Sequence, residues 1–97
     1  MKVEYSNRAV ANLRKISADS RGAFGDRVAE ALEGRIRAVI DRISRDPFSA
    51  PEVEQRPGLH VVPLIRYPFK IFYRVLDDRI QIVHIRHVAR RPWRGGA

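Results

Sequence analysis

The stretch from Arg66 to Arg90, RYPFKIFYRVLDDRIQIVHIRHVAR, limits the fold more than any other part of the chain, because strong strand alternation and a dense set of ionisable groups coincide in it. Phe69, Ile71, Tyr73 and Val75 alternate with Lys70, Phe72 and Arg74, and Ile80, Ile82 and His84 alternate with Gln81, Val83 and Ile85. Asp77 and Asp78 between the two runs are turn residues, so the stretch predicts a β-hairpin.

A two-residue turn at Asp77 and Asp78 sets even-numbered residues of the first strand beside odd-numbered residues of the second. One face then carries Phe69, Ile71, Tyr73, Val75, Ile80 and Ile82 and is the core side. The other carries Lys70, Phe72 and Arg74 with Val83, Ile85 and His87, and its far end gathers Lys70, His87 and Arg90. A three-residue turn slips the register and brings Lys70 beside Arg86 instead.

The remainder of the chain has to cover that core side. Ser6 reads as a helix N-cap after a short strand at residues 2 to 5, KVEY. Ala9, Val10, Leu13 and Ile16 keep one helical face, and this first helix is expected to stop near Asp19 to Gly22. A longer second helix is predicted from around Ala23 to Asp26, with Phe24, Val28, Ala31, Leu32, Ile36, Val39, Ile40 and Ile43 forming one apolar stripe. Gly34 within it suggests close contact with the first helix, and Asp46 before Pro47 ends it.

PFSAPEVEQRPG, residues 47 to 58, reads as a surface loop, and Leu59 to Ile65 as a strand that Pro63 confines to an edge or a bulge. The tail RRPWRGGA is expected to be mobile over residues 91 to 97. The order of elements predicts one α+β domain over residues 1 to 97: an N-terminal strand, a helical hairpin, then a three-stranded antiparallel sheet with one face partly bare.

Charge bears on what that bare face meets. Nineteen Lys and Arg against eleven Asp and Glu give a net charge of +8. Most are Arg, which forks onto phosphate or carboxylate, so the balance points to a polyanionic target, an acidic protein partner, or both. There is no cysteine, which excludes disulfides and thiolate zinc sites and fits a reducing compartment. MKVEYSN lacks the apolar run of a signal peptide and no stretch approaches the ~20 apolar residues of a membrane span, so a soluble cytoplasmic protein without membrane contact is expected.

From VEYSNRAVANLRKI to the H-x-x-R at His87 to Arg90, with the strand RYPFKIFYRV followed by DD and IQIV, the chain resembles the RelE/ParE superfamily of type II toxin-antitoxin toxins, the plasmid stabilisation proteins. The resemblance implies a growth-arresting toxin neutralised by a cognate antitoxin. RelE-like members are ribosome-dependent mRNA endonucleases, or mRNA interferases; ParE-like members poison DNA gyrase. By the resemblance Lys70 stands where RelE-like strands hold phosphate, Arg90 matches a second phosphate-stabilising arginine, and His87 approaches a general acid or base. The family's carboxyl-terminal tyrosine falls on Gly96, with Trp93 the nearest aromatic, and EVEQRPG lacks the RelE lysines. These departures favour the ParE-like branch.

If the chain cuts RNA, Lys70, His87 and Arg90 are the catalytic candidates, since 2'-hydroxyl attack needs proton transfer and cations for the charge growing on phosphate. His87 equally serves as a hydrogen-bonded cap on a sheet edge. Arg66, Arg74, Arg86, Arg91 and Trp93 are the candidates for gripping a target or its phosphates, and Trp93 either enters a partner groove or folds back over the sheet. His84 reads as a core histidine, His60 as a surface residue, and Tyr67 and Tyr73 as core packing. No cofactor is implied and no metal site is expected, since His84 and His87 alternate across a strand without a carboxylate cluster.

Three readings follow: a toxin that binds gyrase without chemistry of its own, a ribosome-dependent mRNA endonuclease, or a toxin fold that only binds antitoxin. Each implies an antitoxin, expected as an acidic-faced chain over the apolar groove of the helical hairpin and the basic sheet face.

Overall fold

A computed structural model of the chain describes residues 1 to 88; the candidates Arg90, Arg91 and Trp93, Gly96 at the position of the family's tyrosine, and the tail expected to be mobile lie outside the described residues. Strand β1 spans Lys2–Tyr5, and Ser6 then caps helix α1, Asn7–Phe24, its hydroxyl accepting from Ala9 N. The expected stop near Gly22 does not occur, because nothing between Asp19 and Gly22 forces the backbone out of the helix. The break comes at Gly25, whose φ of 92° is open to glycine and strained for other residues.

Helix α2, Asp26–Arg45, follows at once and ends at Asp46 as Pro47 requires. Its stripe of Leu32, Ile36, Val39, Ile40 and Ile43 is buried. Three residues of the expected stripe are not: Phe24 ends α1 instead and is 71% exposed, Val28 is 41% exposed, and Ala31 is exposed. Gly34 does not mediate a close approach either, since a side chain there would meet nothing within 4 Å.

Strands β2 (Glu52–Val53), β3 (Arg56–Pro63), β4 (Phe69–Val75) and β5 (Arg79–His87) complete the fold. The sheet has five strands in the order β1-β5-β4-β3-β2, with β1 parallel to β5, and so corrects the expected three-stranded antiparallel sheet. Parallel pairing needs a long crossover, and everything from α1 to β4 supplies it. The supposed loop 47 to 58 contributes β2 and the start of β3. Pro63 is tolerated because Leu64 N donates to Phe69 O, which leaves the proline nitrogen facing the other edge, beyond the end of β2.

The core lies between the helical hairpin and one face of the sheet. Ala9, Leu32, Ile36, Ile40 and Ile43 meet Val62, Leu64, Ile71, Tyr73, Ile80, Ile82 and Ile85 there, with Leu13 and Ile16 packed alongside. No helix of the described residues is long and apolar enough to cross a membrane.

Candidate functional site on the sheet

The β4–β5 hairpin begins with the predicted parity. Leu76 N donates to Arg79 O across the turn at 2.7 Å, and Val75, Arg74 and Tyr73 pair with Ile80, Gln81 and Ile82. Then the register shifts: Phe72 pairs with His84, so Val83 is an extra residue in β5. A bulge of this kind reverses which residues share a face beyond it. Ile71 therefore pairs with Ile85, Lys70 with Arg86 and Phe69 with His87.

The bulge sits where the partner of β5 changes. Strand β1 accompanies β5 only as far as Ile82. Past that point α1 covers the open edge: Ser6 N donates to Ile82 O at 3.0 Å, the Ser6 hydroxyl donates to Val83 O at 2.6 Å, and Asn12 Oδ1 accepts from Ile85 N at 3.0 Å. An edge that would otherwise expose backbone groups is satisfied by helix side chains.

The candidate catalytic pair is separated as a result. Lys70 lies exposed on the outer face of the sheet beside Arg86, whereas His87 lies on the helix side, its ring edge-on to Phe69 with centroids 5.0 Å apart. The expected grouping of Lys70, Ile85 and His87 on one face fails because it assumed a hairpin without the extra residue. The Lys70–Arg86 pairing foreseen for a slipped register is the one observed, and it arises from the bulge at Val83 in place of a longer turn.

The same reversal moves His84. Expected on the core side, it lies on the outer face, stacked on Phe72 with centroids 4.3 Å apart and planes at 23°. Burial, then the cations Arg8, Arg86 and Arg56, push its pKa down to about 4. Its Nδ1 is buried and has no hydrogen-bond partner among the described residues. Arg74 lies on this face too, and a side chain at Gly58 would meet its guanidinium at 3.7 Å.

Arg66 departs from the group. It occupies the turn between β3 and β4 with φ 78° and borders a hollow over α2 formed by Ala31, Gly34, Arg35, Ala38, Ile65 and Tyr67. Among the sequence candidates, the structure thus brings together Lys70, Arg74 and Arg86 and leaves His87 and Arg66 elsewhere. His84 joins the outer face without having been foreseen, and Arg8 and Arg56 act on it electrostatically. One signal was present: the buried isoleucines of β5, at 80, 82 and 85, change step from two to three.

On the helix side, His87 borders an apolar groove of about 600 Å³ with Asn12, Ile16, Phe24, Val28 and Tyr67. Tyr73 is fully buried and donates its hydroxyl to Pro47 O at 2.7 Å. His60, expected at the surface, is only 5% exposed: its ring stacks on Tyr73 at 5.1 Å and its Nδ1 meets Ala50 O at 2.9 Å, because residues 47 to 50 fold over it.

A helical hairpin on one face of a mixed five-stranded sheet, with cations crowded on the other face, defines a small basic toxin fold of the RelE/ParE kind. Solved structures share it. The chain is similar to a protein of the chromosomal ParDE TA system from P. aeruginosa, with a TM-score of 0.79 and 25% identity over 91% of this chain and 96% of that one. The isolated E. coli RelE toxin matches in fold with a TM-score of 0.59 and 17% identity, covering 94% of this chain and 87% of that one. A chain of the intact E. coli RelBE toxin-antitoxin complex matches with a TM-score of 0.55 and 17% identity, over 93% and 98%. None of the curated proteins matches the chain significantly. The model of the family described as ParE toxin of the type II toxin-antitoxin system, parDE, matches residues 3 to 92, and the chain belongs to that family.

Proposed function

We propose that the protein arrests growth by binding DNA gyrase, with no chemistry of its own, and that a cognate antitoxin neutralises it in the cytoplasm. The observation that supports this over RNA cleavage is the bulge at Val83, which leaves Lys70 and His87 on opposite faces of the sheet. A proton-transfer group has to lie within hydrogen-bond reach of the group it serves, and phosphate held by Lys70 is not within reach of His87 through the sheet. Membership of the ParE family points the same way.

The antitoxin's seat, in this reading, is the groove between α1, α2 and the β4–β5 end, where Phe24 and Val28 are exposed. Lys15 and His87 at its border suit an acidic-faced helix with an apolar stripe. The intact E. coli RelBE toxin-antitoxin complex is a precedent in fold.

The test adds purified protein to two reactions: DNA supercoiling by gyrase, and translation followed by primer extension on the mRNA. Trapped gyrase–DNA complexes with intact mRNA are expected. Codon-linked cuts with normal supercoiling would replace the proposal with ribosome-dependent cleavage, for which Lys70, His87 and Arg90 would be the residues to substitute. Silence in both would leave a fold that only binds antitoxin.

A further inference from the structure

The two edges of the sheet differ. Strand β2 has two residues and an irregular register, which blunts its edge. Strand β1 is continuous, and no strand of the described residues lies on its outer side. Ser6 N donates to Ile82 O, and the residues of a paired strand turn to their neighbour alternately, so Lys2 and Glu4 aim their backbone groups at β5. The N–H and C=O of Val3 and Tyr5 therefore point outward, without a hydrogen-bond partner among the described residues. Val3 packs against the core, while Lys2 and Glu4 stand on the outer face, where Glu4 pairs with Arg79. Met1 and Tyr5, at the ends of the strand, are 50% and 40% exposed. The amino group of Met1 donates to Ser44 O at 3.0 Å, which fixes the start of the edge. Charge is balanced around it, since Arg79 pairs with Glu4 and Asp78, and Arg45 with Asp41.

We propose that β1 is the contact edge of a symmetric homodimer, in which a second copy of the chain adds its own β1 antiparallel to the first about a two-fold axis at Val3. The outward backbone groups of Val3 then exchange two hydrogen bonds with the partner's Val3. Lys2 comes opposite the partner's Glu4 and Met1 opposite the partner's Tyr5, each twice by symmetry. Opposite charges facing across a strand pair stabilise it and like charges destabilise it. The two neighbouring registers also bond the outward groups, but they set Lys2 against Lys2 or Glu4 against Glu4. Charge thus selects the register about Val3. No residue of β1 lines the groove assigned to the antitoxin, so the pairing stands or falls separately from the antitoxin and gyrase readings.

The experiment is sedimentation equilibrium of the full chain from micromolar to millimolar concentration, with thermal melting of every variant to show that it folds. The mass is expected to rise from the monomer's to twice that value. Lys2→Glu sets like charges together at two places and weakens the dimer about tenfold. Glu4→Lys weakens it likewise, and an equal mixture of the two variants associates again, because each like-charged edge meets its opposite. Val3→Pro removes an N–H that faces outward and spares the ladder to β5, so it folds and stays monomeric. Hydrogen exchange of the Val3 and Tyr5 amides slows as the parent's concentration rises. A monomer at every concentration overturns the proposal, as does a dimer indifferent to Val3→Pro. A mixture of Lys2→Glu and Glu4→Lys that fails to associate overturns the register. Slow exchange of the Val3 and Tyr5 amides in the monomer shows that another part of the chain covers the edge, and also overturns it.

Discussion

Ser6 joins three parts of the molecule through one hydroxyl. It accepts from Ala9 N at 3.0 Å, which caps α1, and donates to Val83 O at 2.6 Å, which anchors the bulge of β5. Ser6→Ala removes both. Loss of a serine cap costs about 1 kcal/mol, and loss of a part-buried hydroxyl–carbonyl bond about 1 kcal/mol more. A deficit of about 2 kcal/mol lowers the melting temperature of a domain this size by roughly 10 °C. Ser6→Thr keeps a hydroxyl in the same place and stays within about 0.5 kcal/mol of the parent. Calorimetry or urea unfolding measures the difference, and hydrogen exchange locates it: Ile85 N, held by Asn12 Oδ1 on the same helix, exchanges faster in Ser6→Ala. A loss below about 0.5 kcal/mol in Ser6→Ala, or an equal loss in Ser6→Thr, refutes the shared role assigned to this hydroxyl.

Gly34→Ala should stabilise the protein by about 0.5 to 1 kcal/mol, read as a rise in melting temperature, since the position is helical and its surroundings are open. Tyr73→Phe should cost about 1 kcal/mol in chemical unfolding by leaving Pro47 O without its donor. His84 has a folded pKa of about 4 against an ordinary 6.5. The unfolded chain therefore binds the extra proton between those values, so stability that His84 contributes is present above pH 6.5 and is lost as the pH falls towards 4. His84→Gln should flatten that part of the stability–pH curve, and NMR of the parent should show the imidazole neutral at pH 5.5 or thereabouts.

Local signals carried much of the architecture. The Ser6 cap, the α2 stripe from Leu32 to Ile43, the end at Asp46 and the hairpin about Asp77 and Asp78 each depend on neighbours in sequence, and each stands in the structure. What was not legible depends on contacts between distant residues. The β1–β5 pairing joins positions 2 to 5 with 79 to 82, and the bulge answers to Ser6 and Asn12 on a helix more than 70 residues away in the chain. Hairpin parity read from the turn alone therefore held from Val75 to Tyr73 and failed from Phe72 onwards. His60 was misread for a similar reason, since its cover comes from Phe48 and Ala50 in a segment without periodicity. Phe24 was lost to a single residue of helix boundary, decided by the positive φ of Gly25.

The chain contains no cysteine, so paired cysteine substitutions report the β4–β5 register without background. Residues directly opposite in an antiparallel sheet bring their Cβ atoms to about 5 Å, near enough for a disulfide after slight adjustment. Oxidation of Lys70→Cys with Arg86→Cys is expected to close the cross-link, and Lys70→Cys with His87→Cys is expected to stay reduced, since those side chains leave the sheet on opposite sides. Rapid closure of the Lys70 and His87 pair, with none between 70 and 86, would restore a shared face for the two catalytic candidates and contradict the account.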